Sequence, residues 1–174
     1  MSLGNREAVT ESDLAAVQRQ LGRESRGAVA VAHRCSCGEP DVVTTAPRLP
    51  DGTPFPTTYY LTCPRLTGAV STLEAEGRMK QMQQRLATDS GLRTTYRNAH
   101  ERYLADRAEL GDVPEITGIS AGGMPDRVKC LHVLVGHALA AGPGVNPLGD
   151  EALREISDRG LARGRSCAER SADL

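Results

Sequence analysis

Ala28-Val29-Ala30-Val31-Ala32-His33-Arg34, Cys35-Ser36-Cys37-Gly38-Glu39-Pro40 and Asp41-Val42-Val43-Thr44-Thr45-Ala46 run in succession, and their reading decides the fold. The first and last are β-branched or small apolar runs, which read as strands. The middle stretch holds Gly and Pro and reads as a turn. The three together predict a β-hairpin with two thiols at its tip. Downstream, residues 47–56 hold four prolines and an Asp-Gly, a turn-rich loop. Thr57-Thr58-Tyr59-Tyr60-Leu61-Thr62 follows as a third strand, rich in aromatic and β-branched residues.

Outside these strands the pattern is helical. Residues 11–21 carry Leu14, Val17 and Leu21 at helical spacing, with Ser12 or Asp13 as cap. Cys63-Pro64 opens a helix bearing Leu66, Ala69, Val70 and Leu73, interrupted at Gly77. Residues 78–87 and 92–110 predict two polar helices broken at Ser90-Gly91. Residues 125–141 are apolar nearly all round, as in a buried helix, and Gly142-Pro143-Gly144 stops them. A short helix over 150–159 completes the pattern. The expectation is an α+β fold in which a small antiparallel sheet, hairpin plus one strand, packs against several helices, one of them buried. Its divisions are an N-terminal helix and linker (1–24), a single domain (25–159) and a flexible polar tail (160–174).

At 174 residues with 39% hydrophobic content, the chain suits one cored domain. Its net charge of −1 excludes the electrostatic footprint of a general nucleic-acid binder. The cations are nearly all Arg, with only Lys80 and Lys129 as lysines, a bias that GC-rich coding produces by itself. No stretch reaches the roughly 20 apolar residues of a membrane span, and Met1 to Arg23 lacks a signal peptide's apolar core. A cytoplasmic location is expected by default, and there clustered cysteines more often mean metal or redox chemistry than disulfides. Cys167, in the polar tail, reads as incidental.

Cys35, Cys37, Cys63 and Cys130 are therefore the candidate metal ligands. Zinc needs about four thiolate or imidazole donors. Cys35 and Cys37 can face one point from a turn. Cys63 meets a helix N-terminus, which favours the thiolate. Cys130 lies in the expected buried helix. His137, seven residues on and about 10 Å along the axis, is the rival fourth ligand. His132 points about 200° away from Cys130 if that helix is regular, which bars a shared metal and makes it a core histidine. His33 alternates with Cys35 and could approach it. Cysteines so dispersed equally suit small core hydrophobes, and Cys35 with Cys37 could serve as a redox pair. An iron–sulfur cluster is the lesser alternative to zinc.

Gly122 and Gly123 precede the expected helix start at Pro125. Its free amides, with Arg127 and Lys129, suit an anion, although Gly-Gly is also an ordinary tight turn. Asp126, His132 and His137 are the candidate acid–base groups. The segment is not a P-loop, and neither Gly-x-Ser-x-Gly nor His-Glu-x-x-His occurs.

Four long words, Thr45–Thr57, Tyr59–Pro64, Ser120–His132 and Gly144–Leu153, resemble a bacterial family of unknown function, number 501. The resemblance covers roughly 25–155. It implies no reaction. It implies a genomic neighbourhood with a septum-formation initiator and an exopolyphosphatase-type enzyme, hence a protein partner in division or envelope machinery. It further implies some relatives with His at position 63, which favours zinc over an iron–sulfur cluster, and without Cys at 37, which makes Cys37 the least secure ligand. Two functions follow as expectations. One is a zinc-stabilised adaptor with a closed four-ligand site and an exposed patch at Phe55, Tyr59 or Tyr60. The other is a metal-dependent hydrolase of phosphate-bearing or anionic substrates, with three protein ligands and an open position.

Overall fold

The computed structural model describes residues 6–163. The described residues form a four-stranded antiparallel sheet in the order β1-β2-β3-β4. Its strands are β1 (Glu7–Ala8), β2 (Ala28–Arg34), β3 (Pro40–Thr45) and β4 (Tyr59–Leu61). Six α-helices accompany it: α1 (Glu11–Leu21), α2 (Pro64–Ala75), α3 (Arg78–Thr88), α4 (Ser90–Ala108), α5 (Leu131–Ala141) and α6 (Pro147–Asp158). The fold is α+β, as the alternation of patterns predicts.

The hairpin forms through β2 and β3, pairing Val31 with Val43 and Ala28 with Thr45, with register shifts along the way. Its turn closes through Cys35 N–H to the Glu39 carbonyl, and Gly38 takes φ +90°, where a side chain is strained. Every residue of β3 is buried, so both faces of the strand are covered; α1 and α5 both pack on it. β1 is an unexpected fourth strand, too short to carry a pattern. It draws the segment before α1 into the same sheet by pairing Glu7 with Val31.

Helix α1 spans the expected residues, but its cap and buried face differ. Thr10 is the N-cap, in a reciprocal box with Asp13. Asp13, Ala16, Val17 and Gln20 are buried, while Leu14 is among the exposed apolar residues. Two polar residues turn inward because each has a partner. The Arg34 guanidinium meets Asp13 at 2.9 Å and holds its carboxyl down at about 2, against the upward push of burial. The Gln20 amide donates to the Pro40 carbonyl at 2.8 Å.

Helix α4 is likewise less solvated than its composition suggests. It buries Tyr96, Ala99, Tyr103, Asp106 and Arg107. The backbone N–H of Thr58 donates to the Tyr103 hydroxyl at 2.6 Å, and the Tyr59 hydroxyl donates to Asp106 at 2.8 Å. Tyr59 is thus a core residue rather than part of an exposed patch; Phe55 and Tyr60 are half-buried neighbours.

The main correction concerns residues 125–130. The helix expected from Pro125 begins only at Leu131, and Cys130 is its N-cap in extended conformation (φ −155°, ψ 110°). The preceding loop folds on itself: Arg127 and Lys129 donate their backbone N–H groups to the carbonyls of Gly123 and Gly122. From Leu131 onward α5 crosses β4 and packs on α6. Gly136 passes close over the Tyr59 carbonyl, where an added Cβ would lie 3.1 Å from the oxygen. Helix α6 starts three residues earlier than expected because Asn146 caps it, accepting from Gly149 N–H at 2.9 Å. No described helix is long and apolar enough to cross a membrane. The polar tail from residue 164 onward, with Cys167, lies outside the described residues.

Candidate metal centre

The late start of α5 changes what Cys130 can meet. Because Cys130 is extended and His132 lies in the first helical turn, the helical separation argued from a regular helix does not apply. Donor atoms of Cys130, His132 and Glu74 lie within 4.8 Å of one another, the group of this kind found among the described residues. Glu74 arrives from the end of α2. Its Oε1 accepts from the Leu131 N–H at 2.8 Å, which ties α2 to the start of α5. The same Oε1 stands 3.2 Å from His132 Nδ1.

The other imidazole nitrogen fixes the tautomer. His132 Nε2 lies 3.2 Å from the Thr67 carbonyl, which can only accept, so Nε2 carries a proton. Nδ1 then brings a lone pair against a carboxylate oxygen, unless a proton or another cation lies between them. With a proton there, His132 is pushed up to about 9; the Cys130 thiolate is the chief cause and Glu74 adds to it, against the opposing effect of burial. Burial also pushes the Cys130 thiol up, but the imidazole and the Val133 N–H outweigh it and leave the thiol below its ordinary value. One sulfur, one nitrogen and one oxygen thus converge where a cation is favoured. That is a donor set zinc accepts, with the histidine oriented by a carbonyl on its far nitrogen.

A cleft of about 420 Å³ opens beside this group. Leu21, Leu61, Val133, Tyr59 and Tyr60 line it, together with Cys130, His132, Thr57 and Thr67.

The remaining sequence-stated candidates lie elsewhere. Cys35 is half-buried and Cys37 exposed in the hairpin turn. Cys63 is buried at the N-cap of α2. None of these three joins a group of donors in the described residues. His33 turns to Asp41 at 2.8 Å, which raises its pKa. His137 is fully buried, stacked on Tyr59 (centroids 5.8 Å apart) and edge-on to Tyr103 (5.0 Å). The Asn146 amide meets its Nδ1 at 3.2 Å, and its Nε2 has no hydrogen-bond partner among the described residues. Burial pushes His137 down to about 4. Asp126 is exposed and meets Arg97 at 3.3 Å.

The Gly122–Gly123 loop lacks the helix start on which its anion-binding expectation rested, and the Arg127, Val128 and Lys129 amides already have acceptors within the protein. Glu74 is the residue that sequence reasoning missed. It sits far from Cys130 in the chain, and no spacing marks the pair.

The fold and site define a small α+β protein with a candidate three-donor centre at the joint between two helices. The chain belongs to the family described as Protein of unknown function (DUF501), whose sequence profile matches residues 31–154. No curated protein and no solved structure matches it.

Proposed function

We propose that Glu74, Cys130 and His132 bind a transition metal, zinc by donor chemistry, and that the adjoining cleft is where the protein acts on a small molecule. The convergence of sulfur, nitrogen and oxygen donors within 4.8 Å carries the reading. Three protein donors beside an open cleft follow the pattern of catalytic zinc, whereas structural zinc has four and is closed. This favours a metal-dependent hydrolase over a zinc-stabilised adaptor. When bound, zinc supplies Lewis acidity and an acidified water. The chain's own contribution is to orient the ligands: Leu131 N–H holds Glu74, and the Thr67 carbonyl holds the His132 ring.

The test is metal analysis of protein purified without chelator. A single zinc per chain is expected, lost in His132→Ala and Glu74→Gln and kept when Cys35 and Cys37 are both changed to Ser. Metal-free wild-type protein, or full zinc in His132→Ala, overturns the reading.

The same site also sets a thiol beside an imidazole, the pair that cysteine nucleophiles use. A chelator separates the two readings. Metal chemistry stops on chelation, and covalent thiol chemistry continues.

A further inference from the structure

The cleft beside the metal centre has a chemical character of its own. Its volume of about 420 Å³ lies within the roughly 300–1,000 Å³ of small-molecule sites. Its wall is largely aliphatic and aromatic, and among the described residues no Lys, Arg, Asp or Glu lines it. Cys130 and His132 belong to the same lining, with Thr57 and Thr67 as its small polar residues. Arg23 and Arg26 border a smaller cavity of about 60 Å³ that shares Leu21 and Tyr60 with the cleft. Arg23 there donates to the Tyr60 hydroxyl at 3.2 Å.

We propose that the cleft binds a neutral small molecule with an apolar body, aromatic or branched aliphatic, whose polar carbonyl end lies against Cys130 and His132. An anionic body, phosphate-bearing or otherwise, is disfavoured, because it would be desolvated against Leu21, Leu61 and Val133 with no cation along the wall. The cleft favours neutral esters or amides with such an apolar group. The assignment of the carbonyl end rests on the metal reading above; the apolar body rests on the cleft alone.

Cys130 lines the cleft, so its alkylation reads the occupant directly. The full-length protein, stripped of metal with EDTA, is treated with N-methylmaleimide, N-benzylmaleimide or 3-maleimidopropionate, and each cysteine is followed by peptide mass mapping. Cys37, exposed in the hairpin turn, is the internal control. The expected result is a benzyl-over-methyl rate ratio at Cys130 at least about tenfold above that at Cys37, the factor that about 1.4 kcal/mol of tail binding gives. The carboxylate reagent should be slower than the methyl one. Val133→Glu, on the half-buried cleft wall, should abolish the ratio at Cys130 and leave Cys37 unchanged. Equal ratios at the two cysteines, or a preference for the carboxylate, overturn the proposal. Zinc content is measured on the same preparation before stripping. A chain without zinc that keeps the benzyl preference removes the metal reading and leaves the apolar cleft. A zinc-loaded chain without the preference does the reverse.

Discussion

His132 and His137 stand on the same helix, yet the two ends of α5 treat an imidazole in opposite ways. At the N-terminal end His132 is half-buried, faces a carboxylate and a thiol, and is pushed up to about 9. Toward the other end His137 is fully buried between two tyrosine rings and is pushed down to about 4. One end assembles groups that attract a cation; the other excludes charge and serves packing. Residue type alone does not separate a ligand from a core residue. The partners brought by α2, α4 and α6 do.

The sharpest way to break this comparison is the metal itself. Zinc at a thousandfold excess over its dissociation constant should stabilise the folded chain by about 4 kcal/mol, and EDTA should remove that gain. His132→Ala should show no zinc-dependent gain, whereas His137→Leu should keep it. Thermal unfolding with and without zinc measures both. A zinc response that survives His132→Ala would erase the distinction between the two ends.

The packing end is best challenged at Gly149. A Cβ there would lie 2.2 Å from the Leu134 carbonyl oxygen and 2.8 Å from the Ala138 Cβ. Both contacts are with α5, so α6 must move away from it. Gly149→Ala should destabilise the protein by about 3 kcal/mol, at the upper end of ordinary over-packing. Urea unfolding is the measurement, and a change below 1 kcal/mol would mean that α5 and α6 separate easily.

The acid limb of stability tests His137 in particular. Its pKa is about 4 when folded, against an ordinary 6.5, because burial penalises the cation. Below pH 6.5 the unfolded chain takes up a proton that the folded chain refuses until about pH 4. Stability should therefore fall as pH drops through that window, by about 3 kcal/mol in all, and the loss should level off below it. His137→Leu should flatten the limb between urea titrations at pH 7 and pH 4.5, and the slope that remains comes from carboxylates.

Much of the frame was legible in the chain. The hairpin, helix α1 and the strand ending near Cys63 follow from alternation, Gly and Pro, because those signals act between near neighbours. The interior of α4 was not legible. Tyr103 and Asp106 sit on a polar-looking helix, and they are buried with hydrogen bonds from Thr58 and Tyr59, at the start of β4. The stretch from Pro125 to Cys130 misled for a related reason. Pro125 resembles a first-turn proline and the apolar run follows directly, but the loop satisfies its own amides through Gly122 and Gly123, at φ +67° and +93°. An unbroken helix from Pro125 would turn Cys130 away from His132, whereas its extended conformation brings the two together. The cysteines were a usable signal. Which of them meet was a tertiary fact, fixed by where a helix begins.

The smallest expected effect separates the two thiol-bearing regions. The hairpin tip holds Cys35 and Cys37 in a turn that its backbone closes, with Cys37 exposed and no third donor gathered there among the described residues. Changing both to Ser removes no core contact of Cys37 and keeps the turn hydrogen bonds. Stability should shift by no more than about 0.5 kcal/mol, and zinc content should not change. Cys130→Ser, at the N-cap of α5, replaces a thiolate donor with a hydroxyl and should lose the metal while the helix cap remains. If the double hairpin variant lost its zinc instead, the metal would belong to the hairpin, and α5 would have two packing ends rather than one of each kind.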